Sequence, residues 1–383
     1  MKLPPLSLYV HLPWCVSKCP YCDFNSHRAG DDPPRERYVG AVLADLDREA
    51  QEGRASGRPI DTVFIGGGTP SLFTAGEIGR ILDAADKRFG FEADVEITME
   101  ANPGTVERGD PAGYRAAGVN RLSLGAQSFD AGILQTLGRI HGPDEIGRAF
   151  DGAVEAGFDN INLDLMFALP GQDESKALSD VRNAIALGPQ HISYYQLTLE
   201  PNTVFHARPP ETLPDEDTSW RIQEQGQQAL AEAGFEQYEI SAYAKDGHQC
   251  RHNLNYWRFA DYLAVGAGAH GKVTIGDDIH RYAKPAHPLG YIEAMEKSQC
   301  DDGFRALDEG ERLFEFMLNA LRLQDGFGED EFEGRTGLDR SAVLPKLENA
   351  RESGLILRTE GGLWRPSELG ARFLNDLQAK FLG

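Results

Sequence analysis

Long apolar runs are missing from this chain, cysteine is scarce, and positive charge is outweighed. The first shortage excludes a membrane-spanning helix, since no stretch approaches the roughly 18 consecutive apolar residues a bilayer requires. Five cysteines in 383 residues, with Cys250 and Cys300 standing alone, exclude a disulfide framework. Against 60 acidic residues stand 38 basic ones, a formal net charge of −22, and no Lys/Arg cluster interrupts the deficit. Such a surface repels nucleic acid and anionic lipid, so no nucleic-acid partner is expected. The opening MKLPPLSLYVHLPWC lacks the segments of a secretory signal and reads as a mature, cytoplasmic chain. The rest, 41% apolar and 26% charged, is ordinary soluble composition. The length allows one barrel of about 250 residues plus a smaller unit.

What is present is an alternation. Apolar runs at 7–13, 62–68, 94–104, 120–128, 160–171 and 191–201 read as strands. Amphipathic stretches at 35–51, 77–89, 144–157 and 174–188 read as helices between them. Six such strands, without a dinucleotide-type glycine motif after the first, predict an α/β fold built as a partial (β/α)6 barrel. Three strands are two-faced. Val95, Ile97 and Met99 oppose Glu96, Thr98 and Glu100; Leu122, Leu124 and Ala126 oppose Arg121, Ser123 and Gln127. Ile161, Leu163 and Leu165 oppose Asn160, Asn162 and Asp164. With the apolar faces against outer helices, the polar faces line the lumen, and Glu100, Gln127 and Asp164 reach its C-terminal mouth.

Past residue 205 the alternation loosens. A loop at 209–220 leads into a helix, FEQYEISAYA (235–244) reads as a strand, and 247–273 is rich in aromatics and glycine. Helices at 311–323 and 341–354, a hairpin turning at Gly361–Gly362 and a last helix suggest a small winged-helix-like unit. From 305 to 383 there are 15 acidic and 11 basic residues, which favours a packing or lid module over a DNA-binding one. The expected division is 1–205 for the barrel core, 206–304 for an extension completing it, and 305–383 for the C-terminal unit.

Three cysteines crowd into WCVSKCPYCDFNSH (14–27) as C-x3-C-x2-C, directly after the first strand. A structural zinc site needs a fourth ligand, here His11, Asp23 or His27. The Cys15–Cys19 spacing is not that of a redox pair. An iron–sulfur cube fits better, because three thiolates leave one iron open to a small chelating molecule. GGGTP (66–70) ends the second strand; it is either a tight turn or a place where free N–H groups meet a ligand headgroup. Asp164 is suited to ribose hydroxyls. Arg139, in LGRIH, is either a bidentate carboxylate partner or a solvated helix residue. HNLNYW (252–257) offers His252, a neutral imidazole suited to an axial iron position, beside the flat surfaces of Tyr256 and Trp257. The alternative is a hydrogen-bonded core histidine.

The cysteine spacing and GGGTP together resemble the radical S-adenosylmethionine (SAM) family. The resemblance implies a [4Fe–4S] cluster on Cys15, Cys19 and Cys22 with SAM on the open iron. There one electron splits the S–C bond to a 5′-deoxyadenosyl radical, drawn from a donor such as flavodoxin or ferredoxin. It also implies SAM or cluster contacts from Tyr9, Gly67, Gly68, Thr69, Glu100, Gln127, Arg139 and Asp164, with the Tyr21 backbone at the adenine. YVHLPWC, MEANPG, LGAQSF, LGRIH and LDLMFALPGQ narrow the resemblance to the oxygen-independent coproporphyrinogen III oxidases and their relatives, over nearly the whole chain. Those oxidases carry C-x3-C-x2-C-x-C, and Phe24 stands here at the last position. CDFNSH and HNLNYW instead resemble a haem-chaperone branch that binds haem and passes it to haem-requiring proteins. On that resemblance His252, Tyr256 and Trp257 contact haem. Cys250 is a second possible ligand, and Arg251, Arg258 or Lys272 meets the haem carboxylates. The expected function is a haem chaperone carrying a SAM-coordinated cluster. The alternative is a radical SAM enzyme decarboxylating a tetrapyrrole, and a zinc protein is a third reading.

Overall fold

Six parallel strands lie side by side in chain order: β1 (Leu6–Leu12), β2 (Ile60–Gly67), β3 (Phe91–Ala101), β4 (Arg121–Gln127), β5 (Ile161–Phe167) and β6 (His191–Gln196). The computed structural model describes residues 3–106, 110–300 and 302–382. Helices α1 (Arg35–Gln51), α2 (Ala75–Phe89), α3 (Pro143–Glu155) and α4 (Glu174–Leu187) follow β1, β2, β4 and β5, close to their expected spans. Their starts follow from local chemistry. The Thr74 hydroxyl accepts from the Glu77 N–H while Glu77 returns a bond to the Thr74 N–H, a capping box that begins α2. Asp173 accepts from the Lys176 N–H at the start of α4, and Gly188, at φ 80°, ends that helix.

The sheet continues on both sides of this set. FEQYEISAYA is two short antiparallel strands, β7 (Glu236–Glu239) and β8 (Ala242–Ala244), with β8 beside β6 and a register shift between the two. Beyond β1, the segment read only as aromatic and glycine-rich supplies a helix, α5 (Arg251–Trp257), and a seventh parallel strand, β9 (Asp261–Val265). β9 pairs with β1 from Leu6↔Asp261 to Val10↔Val265. Then come β10 (His270–Ile275), β11 (Asp278–Ala283) and β12 (Arg305–Ala306), all antiparallel. Among the described residues these twelve strands make one open sheet, β12-β11-β10-β9-β1-β2-β3-β4-β5-β6-β8-β7. No helix among them is long and apolar enough to cross a membrane.

Alternation sorts each central strand. Leu6, Leu8, Val10 and Leu12, with Leu122, Leu124, Leu163 and Leu165, are buried in the main core beneath the helices. The opposite face is buried too, and polar: Ser7, Thr62, Thr98, Arg121, Ser123 and Asn162. Thr98 Oγ1 and Arg121 Nε have no hydrogen-bond partner among the described residues, while the other four side chains are hydrogen-bonded. Asn162 Nδ2 donates to Ser123 Oγ at 2.8 Å, and the Ser7 and Thr62 hydroxyls lie 2.7 Å apart.

The main core crosses the boundary expected at 205, since Leu263, Val265, Val273 and Tyr291 pack with β1. A second core, around Phe316, Phe327, Phe332 and Trp364, holds the C-terminal unit and takes in Phe259 and Ile279. The unit has a helix that was not expected, Glu329–Thr336. Its first turn is Glu329, Asp330, Glu331 and its buried residues are Phe332 and Thr336, so it shows no apolar period. The acidic start and the left-handed Gly337 stop are its local signals. The expected last helix divides at Phe373 into Glu368–Arg372 and Leu374–Ala379.

One buried ion cluster ties α1 to the extension. Lys284 Nζ lies 2.8 Å from Asp45 and 2.6 Å from Glu49, with all three side chains inaccessible. Arg54 reaches Glu49 at 3.1 Å and Asp302 at 2.8 Å. Burial raises the pKa of Asp45 and Glu49 despite the nearby Lys284 charge. Lys284→Met leaves Asp45 without a cation and Glu49 with Arg54 alone, and is expected to cost about 3–5 kcal/mol, read as a lowered denaturant midpoint. Adding Glu49→Gln should recover part of the loss.

Candidate metal centre and the cavity beside it

The chain leaves β1 through Pro13 into the cysteine loop, and Trp14–Cys15 pairs in parallel with His27–Arg28 to close it. Trp14 is wedged between Tyr38 and Phe73, with ring centroids 4.9 and 5.7 Å away. The Cys22 N–H donates to the Cys19 carbonyl at 3.2 Å, and Lys18 Nζ donates to the carbonyls of Phe24 and Ser26, both at 3.2 Å. Cys15, Cys19 and Cys22 are half-buried free thiols. Burial raises the pKa of Cys15 and Cys22 above that of an ordinary thiol. Among the described residues no three His, Cys, Asp or Glu side chains converge on one point to chelate a single ion.

GGGTP lies against this loop, and its N–H groups are not free, contrary to the expectation. Gly67 N–H donates to Glu100 Oε2 at 3.0 Å; Gly68 N–H and Thr69 N–H donate to the Leu12 and Trp14 carbonyls, both at 2.8 Å. The motif serves close approach. A Cβ on Gly68 would stand 2.6 Å from the Trp14 carbonyl oxygen, and one on Gly67, at φ 112°, would overlap the His11 ring.

Around the mouth, Glu100 is pushed up to about 7, by burial first and then by the Asp164 charge. Asp164 accepts from Ser123 Oγ at 3.1 Å and Asn162 Nδ2 at 2.8 Å, and burial raises its pKa as well. Gln127 sits at φ 68°, an uncommon backbone for a non-glycine residue, and its Oε1 accepts from Tyr195 OH at 2.8 Å. Arg139 is not a solvated helix residue. It lies after the short helix Ala131–Thr136 and turns inward, Nη2 donating to the Gly125 carbonyl at 2.8 Å and Nη1 standing 3.7 Å from Cys19 Sγ. Its buried Nε has no hydrogen-bond partner among the described residues. Tyr9 OH lies 2.9 Å from His11 Nδ1, and Tyr21 packs against Phe205. Cys19, Thr69 and Arg139 share a small pocket, while Tyr9, Gly67 and Glu100 line a cavity of about 580 Å³.

The far walls of that cavity hold Phe24, Tyr256, Trp257, Tyr262, His270, Lys272 and Arg281. His252 does not reach it. The Glu96 carboxylate accepts the Arg251 and His252 N–H groups at the start of α5, at 3.3 and 3.1 Å. The His252 ring is fully buried, Nδ1 2.9 Å from Thr62 Oγ1 and Nε2 2.9 Å from Tyr256 OH. Burial lowers its pKa to about 3. Both nitrogens are hydrogen-bonded and the ring is not among the residues lining the cavity, as the core-histidine alternative describes. Cys250 is buried too, 3.8 Å from Glu96. Arg251 pairs with Asp61 and Asp94, and Arg258 with Asp325 and Glu331. Lys272 lines the cavity but is held by Asp261 at 3.2 Å.

Sequence reasoning missed Asn25. Its Nδ2 donates to the Ala267 and Ala286 carbonyls at 2.9 and 2.8 Å, and its own carbonyl lies 2.9 Å from His11 Nε2. It rivets the cysteine loop to the turn before β10. Gly268 in that turn, at φ 73°, has no room for a Cβ beside Asn25. His270, Tyr262 and Arg281 were missed as well, because β9–β11 carry no signal that brings them to one cavity.

The Radical SAM superfamily pattern matches residues 9–183, and the HemN C-terminal domain pattern matches 307–373. The haem chaperones HemW of Escherichia coli K12 and of Haemophilus influenzae are each 50% identical over 384 residues, covering 100% of this chain and 99% of theirs. The HemW of Bacillus subtilis is 32% identical across 98% of this chain and 99% of its own. Among solved structures, coproporphyrinogen III oxidase HemN of E. coli superposes with a TM-score of 0.82 at 22% identity, over 99% of this chain and 90% of that one.

Two outcomes test the geometry. Gly68→Ala should destabilise by about 1–3 kcal/mol and quicken alkylation of Cys15, because the added methyl forces the cysteine loop off β2. The second concerns pH. Glu100 binds its proton more tightly folded than unfolded, so stability of the cofactor-free protein falls as pH rises from 4.5 through about 7. Glu100→Gln should remove that fall, gaining up to about 3 kcal/mol at pH 8 and nothing below pH 4, measured by denaturant titration at each pH.

Proposed function

The chain belongs to the HemW family of the radical SAM superfamily, and from that membership we propose that it is a haem chaperone. It binds haem and releases it to haem-requiring apoproteins, while holding a [4Fe–4S] cluster and SAM at the barrel mouth. One observation carries the reading: two haem chaperones are each 50% identical to this chain in an alignment that covers its whole length.

The residues present fit the cofactors. Cys15, Cys19 and Cys22 would hold the cluster. They are free thiols on one short loop, and burial disfavours the thiolates of Cys15 and Cys22 unless a cation accompanies them. Glu100 accepts one hydrogen bond from the described residues and faces the cavity, which suits the SAM ammonium. The unpartnered Nε of Arg139, beside Cys19, suits an acceptor on the same ligand. Tyr9, Tyr21, Gly67, Gly68, Thr69, Gln127 and Asp164 complete the SAM site. When bound, the cluster supplies one electron to SAM, received from a flavodoxin- or ferredoxin-type donor in the cytoplasm. The protein's own part is to fix the loop, keep bulk water from Glu100 and Asp164, and present aromatic surface at Tyr256 and Trp257 to the haem.

Phe24 supports the chaperone over the oxidase. It occupies the position of the oxidases' additional cysteine, and its ring is 56% exposed and lines the cavity. The test uses oxygen-free protein reconstituted with iron and sulfide and given SAM and reductant. Haem retention and conversion of coproporphyrinogen III are measured side by side. Stoichiometric haem and no porphyrin product are expected. Sustained product formation without haem retention would overturn the reading.

A further inference from the structure

The 580 Å³ cavity falls within the roughly 300–1,000 Å³ of small-molecule sites, and aromatic rings face it from two directions. Phe24 comes from the cysteine loop, and Tyr256, Trp257 and Tyr262 come from α5 and β9. Tyr256 and Tyr262 meet edge to face, 4.5 Å between centroids, so that wall is rigid. Flat apolar walls with an open side suit a planar macrocycle whose carboxylates stay in water.

Such a cargo carries an iron that takes an axial imidazole. Two histidines line the cavity, His11 and His270. Both His11 nitrogens are engaged, by Tyr9 OH and the Asn25 carbonyl at 2.9 Å each. His270 is the opposite case. It opens β10, its side chain is exposed, and its ring makes no hydrogen bond among the described residues. Alternation along β10 sets it on the same face as Lys272, which also lines the cavity. The turn leading into it is pinned by Asn25 and Gly268, so its backbone is fixed relative to the cysteine loop. Partial desolvation against the cavity wall and the nearby Arg281 charge keep its pKa below the usual imidazole value, which favours the neutral, ligating form.

Resting on the chaperone reading above, we propose that His270 is the axial ligand of the haem iron in this cavity, and that His252 is a positioning residue acting through Tyr256. His252 Nε2 orients the Tyr256 hydroxyl, and the ring is backed by Phe64 at 5.2 Å. Loss of His252 therefore loosens one wall without removing a ligand.

The experiment titrates full-length wild type, His270→Ala and His252→Gln with haemin, reading affinity together with absorption and resonance Raman signatures of the iron ligand. Iron-free protoporphyrin is the control. His270→Ala should lose the histidine signature, weaken haemin about tenfold or more, leave protoporphyrin binding unchanged, and regain the signature when free imidazole is added. His252→Gln should bind both porphyrins more weakly and keep the histidine signature. If His270→Ala keeps the wild-type signature and affinity, or if His252→Gln alone loses the signature, the assignment is wrong while the chaperone reading stands. Failure of wild type to bind haemin under any of these conditions would sink both.

Discussion

Two backbone hydrogen bonds hold this molecule's chemistry in place: Gly68 to the Leu12 carbonyl and Thr69 to the Trp14 carbonyl. They extend the β1–β2 ladder past the ends of both strands and into the cysteine loop. Each is worth on the order of 1 kcal/mol net, so their importance lies in geometry. They demand that backbone lie on backbone, which explains a run of glycines that leaves room for no side chain. The thiols inherit the rigidity of the sheet because the loop is an annex of it. Asn25 performs the same service on the other flank.

The polar interior follows from this architecture. A sheet with helices on one face must still fill the other, and here the filling is hydroxyl, amide and charge. Asn162 is satisfied by Ser123 and His191, while Thr98 Oγ1 and Arg121 Nε have no partner among the described residues. At the mouth Glu100 is raised to about 7, and Arg139 Nε likewise has no partner among the described residues. Unmet hydrogen-bonding capacity beside three thiols is what a charged ligand would complete. His252 belongs to the satisfied part, at the junction of Thr62, Glu96 and Tyr256.

How much of this was legible in the sequence depended on the range of the signal. The six central strands and four helices announce themselves within a dozen residues, by alternation and caps. The cysteine spacing and GGGTP are local too, so the cysteine loop could be located. β9 was hidden because DYLAV is brief and merges into glycine, and its partner, β1, lies some 250 residues earlier. Helix Glu329–Thr336 was hidden by its acidity. His252 was misjudged because motif and composition describe a residue's chemistry but not its exposure. Arg139 is the opposite case: the residues alone left a solvated helix position open beside the ligand contact that the resemblance implied, and only the fold turns it inward.

The buried cluster of Asp45, Glu49 and Lys284 bears on how such a chain can be cut. The carboxylates belong to α1 and the ammonium to a segment almost 240 residues later. A fragment ending near 205 would take Lys284 from Asp45 and Glu49, leave Glu49 with Arg54 alone, and bare the flank of β1 where β9 now lies. Dissection at that point cuts through one buried charge cluster and one continuous sheet, so the extension is a structural keystone of the barrel and not an appendage to it.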